Sequence, residues 1–312
     1  MGVTGARSTW LALGECDTPL VPARRLSNEL GLELHLKCEL LNPTGSFKDR
    51  GMAVAVERAA DNGARAVVCA STGNTAASAA TYAARAGLQA IVVTPVGATA
   101  SAKRAQAHAA GARVLEVRGT FDDALRLCRE LGELDGYVLV NSVNPDRIDG
   151  QRSVIGEILA QLGAVPDVIA LPYGGGGNVS AVAAGCEEAG IEPALVVGEA
   201  AERPTTFASA IRIGEPAHRA RVDALRASGR LTVVTLAEEE LRAAWAALAR
   251  EEGVFCEPAS AAGVAALRKL DGRAGVAVCI VTGHGLKDAG TVDASTAVTV
   301  EPSLDAVLQA LG

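Results

Sequence analysis

Short runs of β-branched and aliphatic residues alternate with alanine-rich segments of helical composition along most of the chain. The strand-like runs occupy residues 33–40, 66–70, 89–94, 112–117, 136–140, 167–172, 194–199, 231–235 and 275–281. The helix-like segments occupy residues 48–62, 74–86, 100–110, 120–134, 178–189, 237–251 and 258–270, and glycines stand where four of these helices should end, at Gly63, Gly87, Gly111 and Gly190. Strands separated by about one helix indicate βαβ units. We therefore predict an α/β fold with parallel sheets.

No linker rich in Ser, Gly or Pro divides the 312 residues, and no repeat of solenoid length is present. A chain of this length suits two medium domains that share a cleft. We predict two intertwined domains, each a mostly parallel twisted sheet flanked by helices. The smaller domain should span residues 41–147, and the larger should combine residues 1–40 with residues 148–312.

Composition narrows the class of protein further. The net charge is −7 and no block of basic residues is present, so nucleic acid is not an expected partner. No apolar run approaches the length of a membrane span, and residues 1–16 lack the pattern of a secretory signal, so we expect a cytoplasmic protein. The seven cysteines form no C-x-x-C pair and only four histidines are present, so we expect reduced, mostly buried thiols and no metal site.

The loops that directly follow the strand-like runs are the expected ligand sites of an open parallel sheet. The first is NPTGSFKDRG at residues 42–51, where Ser46 is a candidate N-cap and Lys48 falls in the first turn of a helix. Helix N-termini disfavour cations, so this amine should be a better nucleophile toward an aldehyde than a free lysine. The alternative is a surface ion pair of Lys48 with Asp49 or Glu39.

The second loop is STGNT at residues 71–75, between a strand and a helix. Asn74 could cap that helix and still offer its side-chain amide to a ligand. The alternative is a purely structural N-cap, with Ser71 and Thr72 in a turn.

The third loop is PYGGGGNVS at residues 172–180. Consecutive glycines let the backbone approach an anion closely, and the following helix N-terminus adds N–H donors, so this segment predicts a phosphate cradle. It does not fit a dinucleotide fingerprint, because Val179 stands where the third glycine should be, and it lacks the Gly-Lys-Ser/Thr of a P-loop. The alternative is a flexible loop.

The fourth loop is TGHGLKD at residues 282–288. Thr282, at the end of a strand, can present a neutral hydroxyl to a heteroaromatic nitrogen. His284 lies between two glycines, and we assign it no role.

These four segments, in this order and spacing, resemble those of the fold-type-II pyridoxal-phosphate enzymes, the family of tryptophan synthase β, cysteine synthase and the serine and threonine dehydratases. Within the family they are most similar to the short bacterial threonine synthases, as are NSVNPDRIDGQ, RPTTFASAIRIG and EEGVFCEPASAAG. The resemblance implies pyridoxal 5'-phosphate as cofactor. It implies that Lys48 binds the cofactor as a Schiff base and Asn74 its 3'-oxygen, that Thr282 faces the pyridine nitrogen, and that the cofactor phosphate lies on Gly174, Gly175, Gly176, Gly177 and Asn178.

For a threonine synthase the substrate is O-phosphohomoserine, a small phosphorylated amino acid whose phosphate needs a second anion site. The resemblance places that site at Thr75, Asn141, Ser142 and Arg147. Lys48 would then remove protons from Cα and Cβ, phosphate would leave from Cγ, and water would add at Cβ to give threonine. From the sequence alone, Arg147 could equally pair with Asp146 or Asp149.

Other functions stay open at this point. The GGGG loop is similar to that of the dehydratases, and Cys16, Asp17 and Thr205 depart from the threonine synthase pattern. A dehydratase, a β-replacement enzyme, or a specialised paralogue acting on a phosphonate or another γ-activated amino acid is the main alternative. A dinucleotide-dependent oxidoreductase and a non-catalytic pyridoxal-phosphate carrier are the others. A homodimer is the default expectation for an enzyme of this size.

Overall fold

A computed structural model of the protein describes residues 10–97, 101–270, 275–292 and 297–311. Residues 1–9, on which the expectation about a secretory signal largely depends, and residue 100 of one helix-like segment lie outside the described residues. None of the described helices is both long and apolar enough to span a membrane.

The strands within the described residues form two sheets. Their bounds are β1 Leu20–Pro22, β2 Glu33–Lys37, β3 Ala66–Ala70, β4 Gln89–Pro95, β5 Arg113–Val117, β6 Tyr137–Leu139, β7 Val168–Pro172, β8 Ala194–Ala200, β9 Leu231–Leu236 and β10 Val276–Ile280. Six strands form one sheet in the order β1-β2-β10-β7-β8-β9, and four form the other in the order β5-β4-β3-β6. All pairs are parallel except that of β1 with β2. The α/β fold with parallel sheets is thus confirmed.

All nine strand-like runs of the sequence are strands in the structure. The sequence pattern missed only β1, whose three residues are too few to show a period. The strands of the four-stranded sheet lie within residues 66–139, and those of the six-stranded sheet lie on either side of this range. The division into domains at residues 41–147 stays a prediction.

The helices pack on both sheets. Their bounds are α1 Arg24–Leu30, α2 Lys48–Asp61, α3 Asn74–Ala86, α4 Ser101–Ala109, α5 Phe121–Gly132, α6 Pro145–Gln151, α7 Val154–Leu162, α8 Gly177–Ala189, α9 Arg219–Ala227, α10 Glu238–Glu251, α11 Ala262–Arg268 and α12 Leu304–Leu311. All seven helix-like segments are helical, the last of them divided between a 3-10 turn at Pro258–Ala261 and α11. The four glycines at the predicted helix ends have the positive φ expected of such positions.

Two glycines allow α2 and α6 to cross at very short distance. A Cβ atom on Gly51 would lie 2.4 Å from the Arg147 carbonyl oxygen, and one on Gly150 would lie 2.2 Å from the Arg50 carbonyl oxygen. Both obstacles are backbone atoms, which cannot turn aside as a side chain could. This crossing places Arg147 beside the first turn of α2, where Lys48 lies.

We predict that Gly51→Ala lowers the free energy of unfolding by roughly 1–3 kcal/mol, because the added methyl group forces the two helices apart. Gly156→Ala is the matched control, since Gly156 lies in α7 with no heavy atom within 4 Å of an added Cβ. That variant should be more stable by roughly 0.5–1 kcal/mol, as expected for replacing glycine within a helix. Urea denaturation of both variants checks this, and equal effects would contradict the close crossing.

Candidate active site

The turn that leads into α2 lies against the segment that follows β10. Phe47 donates its backbone N–H to the Thr282 carbonyl oxygen at 3.0 Å. Ser46 and Gly283 pair as an isolated antiparallel bridge. The first and fourth predicted loops therefore meet, and Lys48 and Thr282 are brought to the same place.

The Lys48 amine makes no hydrogen bond to the described residues. The other four lysines of the chain each donate at least one hydrogen bond from the amine, at Lys37, Lys103, Lys269 and Lys287. None of the described hydrogen bonds or ion pairs involves the Lys48 amine, which lies 4.5 Å from the centre of the Phe47 ring. A surface pair of Lys48 with Asp49 or Glu39 is therefore not formed. The amine is available to a ligand.

Both neighbours that could have paired with Lys48 are used to hold the turn. The Asp49 carboxylate accepts hydrogen bonds from Thr44 N at 2.7 Å, Thr44 Oγ1 at 2.6 Å and Ser78 Oγ at 2.6 Å. Glu39 accepts two from the buried guanidinium of Arg50, at 2.6 and 2.7 Å. The contacts of Asp49 with Thr44 fix the turn before Lys48, and those of Glu39 with Arg50 fix the helix directly after it.

The surroundings of Lys48 lower the pKa of its amine to about 7. Burial is the largest cause, and the positive charge of Arg147 acts in the same direction. The carboxylate of Glu257 opposes both effects. The direction is the one that the sequence predicted, but the causes are burial and a second cation, where the sequence had pointed to the helix N-terminus.

Two predicted helix caps are wrong. The N-cap position of α2 is Phe47, and the Ser46 hydroxyl, one residue earlier, makes no hydrogen bond among the described residues. The N-cap position of α3 is Gly73, so Asn74 is already the first helical residue. The backbone N–H of Gly73 in this turn donates instead to Ser71 Oγ, at 3.1 Å.

Asn74 binds a buried carboxylate that sequence reasoning missed. Its Nδ2 donates to both carboxylate oxygens of Glu257, at 3.0 and 2.9 Å, and its Oδ1 is buried with no partner among the described residues. Glu257 is 1% exposed, lies 3.6 Å from the Lys103 amine and donates its own N–H to the Gly283 carbonyl. The available signal was an acidic residue among small and apolar ones in VFCEPASAA.

Thr282 is 4% exposed, and its hydroxyl belongs to a short chain of neutral groups. It lies 3.0 Å from Ser260 Oγ, which also accepts the backbone N–H of Gly283 at 2.9 Å. The Ser260 hydroxyl can donate to the Gly283 carbonyl at 3.3 Å or to Thr282 Oγ1, and in both cases the Thr282 hydroxyl can donate to another group. No charged group takes part in these bonds.

The glycine loop joins β7 to α8. At three of its positions, the backbone conformation or the packing of neighbouring atoms requires glycine. Gly176 is in the left-handed region at φ +83°. A Cβ on Gly174 would lie 3.2 Å from Ile211 Cα, and one on Gly177 would lie 3.1 Å from Ser142 Cβ. The loop is therefore a packed turn whose shape excludes side chains, and the flexible-loop alternative is not supported.

Arg147 is completely buried and forms no salt bridge with a carboxylate in the part of the chain that the structure describes. Its Nη1 donates to the Val140 carbonyl at 2.7 Å and its Nη2 to the Lys48 carbonyl at 3.5 Å, while Nε has no partner among the described residues. Asp146 and Asp149, the alternative partners, both pair with Arg58. Burial lowers the pKa of the Arg147 guanidinium to about 10.

The remaining predicted anion ligands differ in how many of their side-chain donors and acceptors already bind other parts of the protein. Asn141 makes two hydrogen bonds with the backbone of Ala70, accepting at 2.9 Å and donating at 2.8 Å, so its amide mainly extends the sheet. Ser142, next to it, lies against Gly177 of the glycine loop. The hydroxyls of Ser142 and Thr75 form none of the described hydrogen bonds. No described hydrogen bond joins Thr75 to the other three.

Buried polar atoms without a hydrogen-bond partner gather on the predicted ligand segments. Five such side-chain atoms are found among the described residues, and four of them are Ser46 Oγ, Asn74 Oδ1, Asn178 Nδ2 and Arg147 Nε. Protein interiors satisfy the great majority of buried polar groups. The fifth, Gln151 Nε2, is at the end of α6. Four of the five unpartnered atoms thus lie on the segments predicted to bind a ligand.

Other chemistry finds little support among the described residues. No cluster of three or more His, Cys, Asp or Glu side chains there could hold a metal ion. Six of the seven cysteines are buried, and burial raises the pKa of the thiols of Cys69 and Cys279, in β3 and β10, to about 12. His284 accepts the Leu286 N–H and so caps the 3-10 helix at Gly285–Thr291, which is a local structural contact.

Comparison with known proteins identifies the family. Residues 11–283 match the family model described as pyridoxal-phosphate dependent enzyme. The chain is 46% identical to a threonine synthase of Halalkalibacterium halodurans over 94% of its own length and 88% of the relative's. It is 46% identical to a threonine synthase of Mycobacterium leprae, covering 97% and 91% of the two chains.

Solved structures agree in fold. Maize serine racemase superposes with a TM-score of 0.76 at 22% identity, covering 94% of this chain and 91% of that one. A serine racemase from Dictyostelium discoideum superposes with a TM-score of 0.73 at 24% identity, covering 88% and 93%. The fold-type-II resemblance inferred from the sequence is confirmed, and the chain belongs to the pyridoxal-phosphate-dependent enzyme family.

Proposed function

We propose that this protein is a lyase that converts O-phosphohomoserine and water to threonine and phosphate with pyridoxal 5'-phosphate as its cofactor. Two kinds of observation support this. Curated threonine synthases are 41–46% identical to the chain over 89–97% of its length. The single structural observation that carries the proposal is the cluster of buried, unpartnered polar atoms on the loops around Lys48.

The residues present fit the cofactor. Lys48 offers a free amine with a lowered pKa, which suits it to bind an aldehyde covalently. The turn at Gly174–Gly177 ends at the N-terminus of α8, which suits a phosphate, and the buried Nδ2 of Asn178 has a donor to spare. Thr282 would face the pyridine nitrogen. Asn74 would reach the 3'-oxygen only by sharing the donors that now bind Glu257.

In this proposal Lys48 carries out the proton transfers. Bound pyridoxal phosphate withdraws electrons from the substrate's α-carbon and so acidifies the neighbouring C–H bonds. An amine with a pKa about 7 can both accept and return a proton near neutral pH. Lys48 would take protons from Cα and Cβ, phosphate would leave from Cγ, protons would be returned to Cγ and Cα, and water would add at Cβ, which gives threonine and phosphate.

Arg147 is the candidate that receives the substrate's phosphate. A guanidinium has five N–H donors, and the two protein contacts leave three of them, including Nε–H, unused. Because no carboxylate neutralises Arg147, its charge is available to an anion. Ser142 and Thr75 would add hydroxyl donors, and Asn141 would contribute the second N–H of its amide.

The alternatives receive less support. A dehydratase or β-replacement enzyme would use the same cofactor but would not need the unpaired charge of Arg147. A dinucleotide-dependent oxidoreductase does not fit the family. We further propose a homodimer in the cytoplasm, with the domain division at residues 41–147, on the general grounds given by the sequence.

We predict that the purified protein releases phosphate and forms threonine in equal amounts from O-phosphohomoserine. Arg147→Met, which removes the charge at similar volume, should lower kcat/KM roughly 10- to 100-fold, as expected for a lost charge-assisted hydrogen bond. Arg126→Met is the control, since Arg126 is an exposed residue of α5. It should stay within about twofold of the parent protein.

Three results would contradict the proposal at different points. Formation of a keto acid from serine or threonine, with no turnover of O-phosphohomoserine, would assign the protein to the dehydratases. Threonine formation that Arg147→Met leaves unchanged would keep the activity but reject Arg147 as the phosphate ligand. Protein that binds the cofactor but releases neither product would be a carrier.

Lys48→Ala should abolish turnover and the visible absorbance of the bound cofactor.

We predict that the cofactor-free protein takes up pyridoxal phosphate at a rate that rises with pH and levels off above about 7, because only the unprotonated Lys48 amine reacts and its pKa is about 7. Arg147→Met should move the midpoint to higher pH, since a cation that lowers the pKa is removed. Glu257→Gln should move it to lower pH, since a carboxylate that raises the pKa is removed. Visible absorbance after rapid mixing measures the rate.

The opposite directions make this test specific. A general loosening of the site would move both midpoints toward the higher pKa of a solvent-exposed lysine. Circular dichroism of each variant checks that it is folded. A rate that keeps rising toward the pKa of a free lysine in the parent protein would reject the lowered pKa.

A further inference from the structure

His218 lies where the glycine loop and the Ser142 segment meet. It is the N-cap residue of α9, half-buried, in the part of the chain that follows β8. It is not among the residues proposed to hold the cofactor or the substrate. Two observations, one from its backbone and one from its side chain, indicate what it does.

The backbone of His218 is fixed to the glycine loop. Its N–H donates to the Gly175 carbonyl at 3.1 Å, and its Cβ is 3.0 Å from the position that a Cβ on Gly176 would take. Its carbonyl accepts the Val222 N–H within α9. The residue is therefore held on two sides and leaves only its ring free to turn.

The ring of His218 reaches across to the neighbouring segment. Nε2 lies 2.9 Å from the Ser142 carbonyl oxygen, which can only accept, so Nε2 carries the proton of this hydrogen bond. The same nitrogen is 3.6 Å from the position of a Cβ on Gly177. One side chain thus bridges the loop after β7 and the segment after β6, which belong to different sheets.

The other side chains of the Ser142 segment hold it only to its own sheet. Asn141 bonds to the backbone of Ala70 in β3, and Asn144 donates to the Leu139 carbonyl in β6. Among the described hydrogen bonds, the one from His218 is the only contact that ties Ser142 to the glycine loop. Without it, the distance between the two would be set by packing, such as that of Ser142 against Gly177.

We propose that His218 is a positioning residue that holds Ser142 at a fixed distance from the glycine loop and so keeps two phosphate sites side by side. This proposal rests on the proposed function, in which the glycine loop holds the cofactor's phosphate and Ser142 helps to hold the substrate's. His218 acts through the Ser142 carbonyl, since that is the bond that its ring makes. Loss of the bond weakens the substrate's phosphate site and leaves the cofactor's site in place.

The test compares His218→Ala with His218→Gln in the cofactor-loaded protein, because the glutamine amide can replace the Nε2–H donor. Calorimetric titration with inorganic phosphate is the first readout, and KM and kcat for O-phosphohomoserine are the second. His218→Ala should weaken phosphate binding and raise KM by roughly threefold to tenfold, the range for one lost hydrogen bond, with kcat nearly unchanged. His218→Gln should restore both values. His108→Ala, on the exposed face of α4, is the control for removal of a histidine.

The readouts separate the possible failures. If His218→Ala weakens cofactor binding while phosphate binding and KM stay the same, His218 supports the glycine loop only and the proposal is overturned. The proposal is equally overturned if Ala has no effect, if Gln does not restore the parent values, or if the parent protein binds no added phosphate. If phosphate binding depends on His218 as stated but O-phosphohomoserine is not turned over, this proposal stands and the proposed function fails.

Discussion

Two cations buried close together impose the main constraint on this site. The Arg147 guanidinium lies close enough to lower the pKa of the Lys48 amine, and Arg147 forms no salt bridge with a carboxylate of the described residues. A buried charge without a partner costs several kcal/mol. Glu257 offsets part of the cost at Lys48, but it is already bound to Asn74. Among the described residues Arg147 thus keeps a positive charge with no direct salt bridge, and an anionic ligand is a partner that fits.

The close crossing of α2 and α6 is what brings these cations together. Gly51 and Gly150 remove the side chains that would keep the two helices apart, and Arg147 can then reach the Lys48 carbonyl. Asp49 fixes the preceding turn through Thr44, so that the amine does not move away from its neighbour. The same four residues, KDRG at residues 48–51, therefore determine both the chemistry of the site and the packing of the two helices. A substitution that changes the packing also changes the site.

The sequence predicted the elements and the loops well, because strand and helix periods are local and parallel strands place their following loops at one edge of each sheet. It predicted side-chain contacts less well. Ser46 and Asn74 have the right chemistry for helix caps, yet Phe47 and Gly73 take those positions. The turn at Phe47 is held by the distant Thr282 carbonyl, and the turn at Gly73 is held by the hydroxyl of Ser71. Glu257 was missed because its importance arises from Asn74, which is far away in the chain.

The neutral surroundings of Thr282 explain why so much depends on one amine. The Gly283 N–H donates to Ser260 Oγ, and the Ser260 hydroxyl can donate to the Gly283 carbonyl or to Thr282 Oγ1, so the Thr282 hydroxyl can serve as a donor to a group that faces it. A donor suits a pyridine nitrogen that carries no proton. A cofactor held in this way withdraws electrons less strongly than one paired with a carboxylate, so more of the proton transfer falls to the protein. Lys48, with its pKa near neutrality and no competing partner, is the group in this site that is suited to that task.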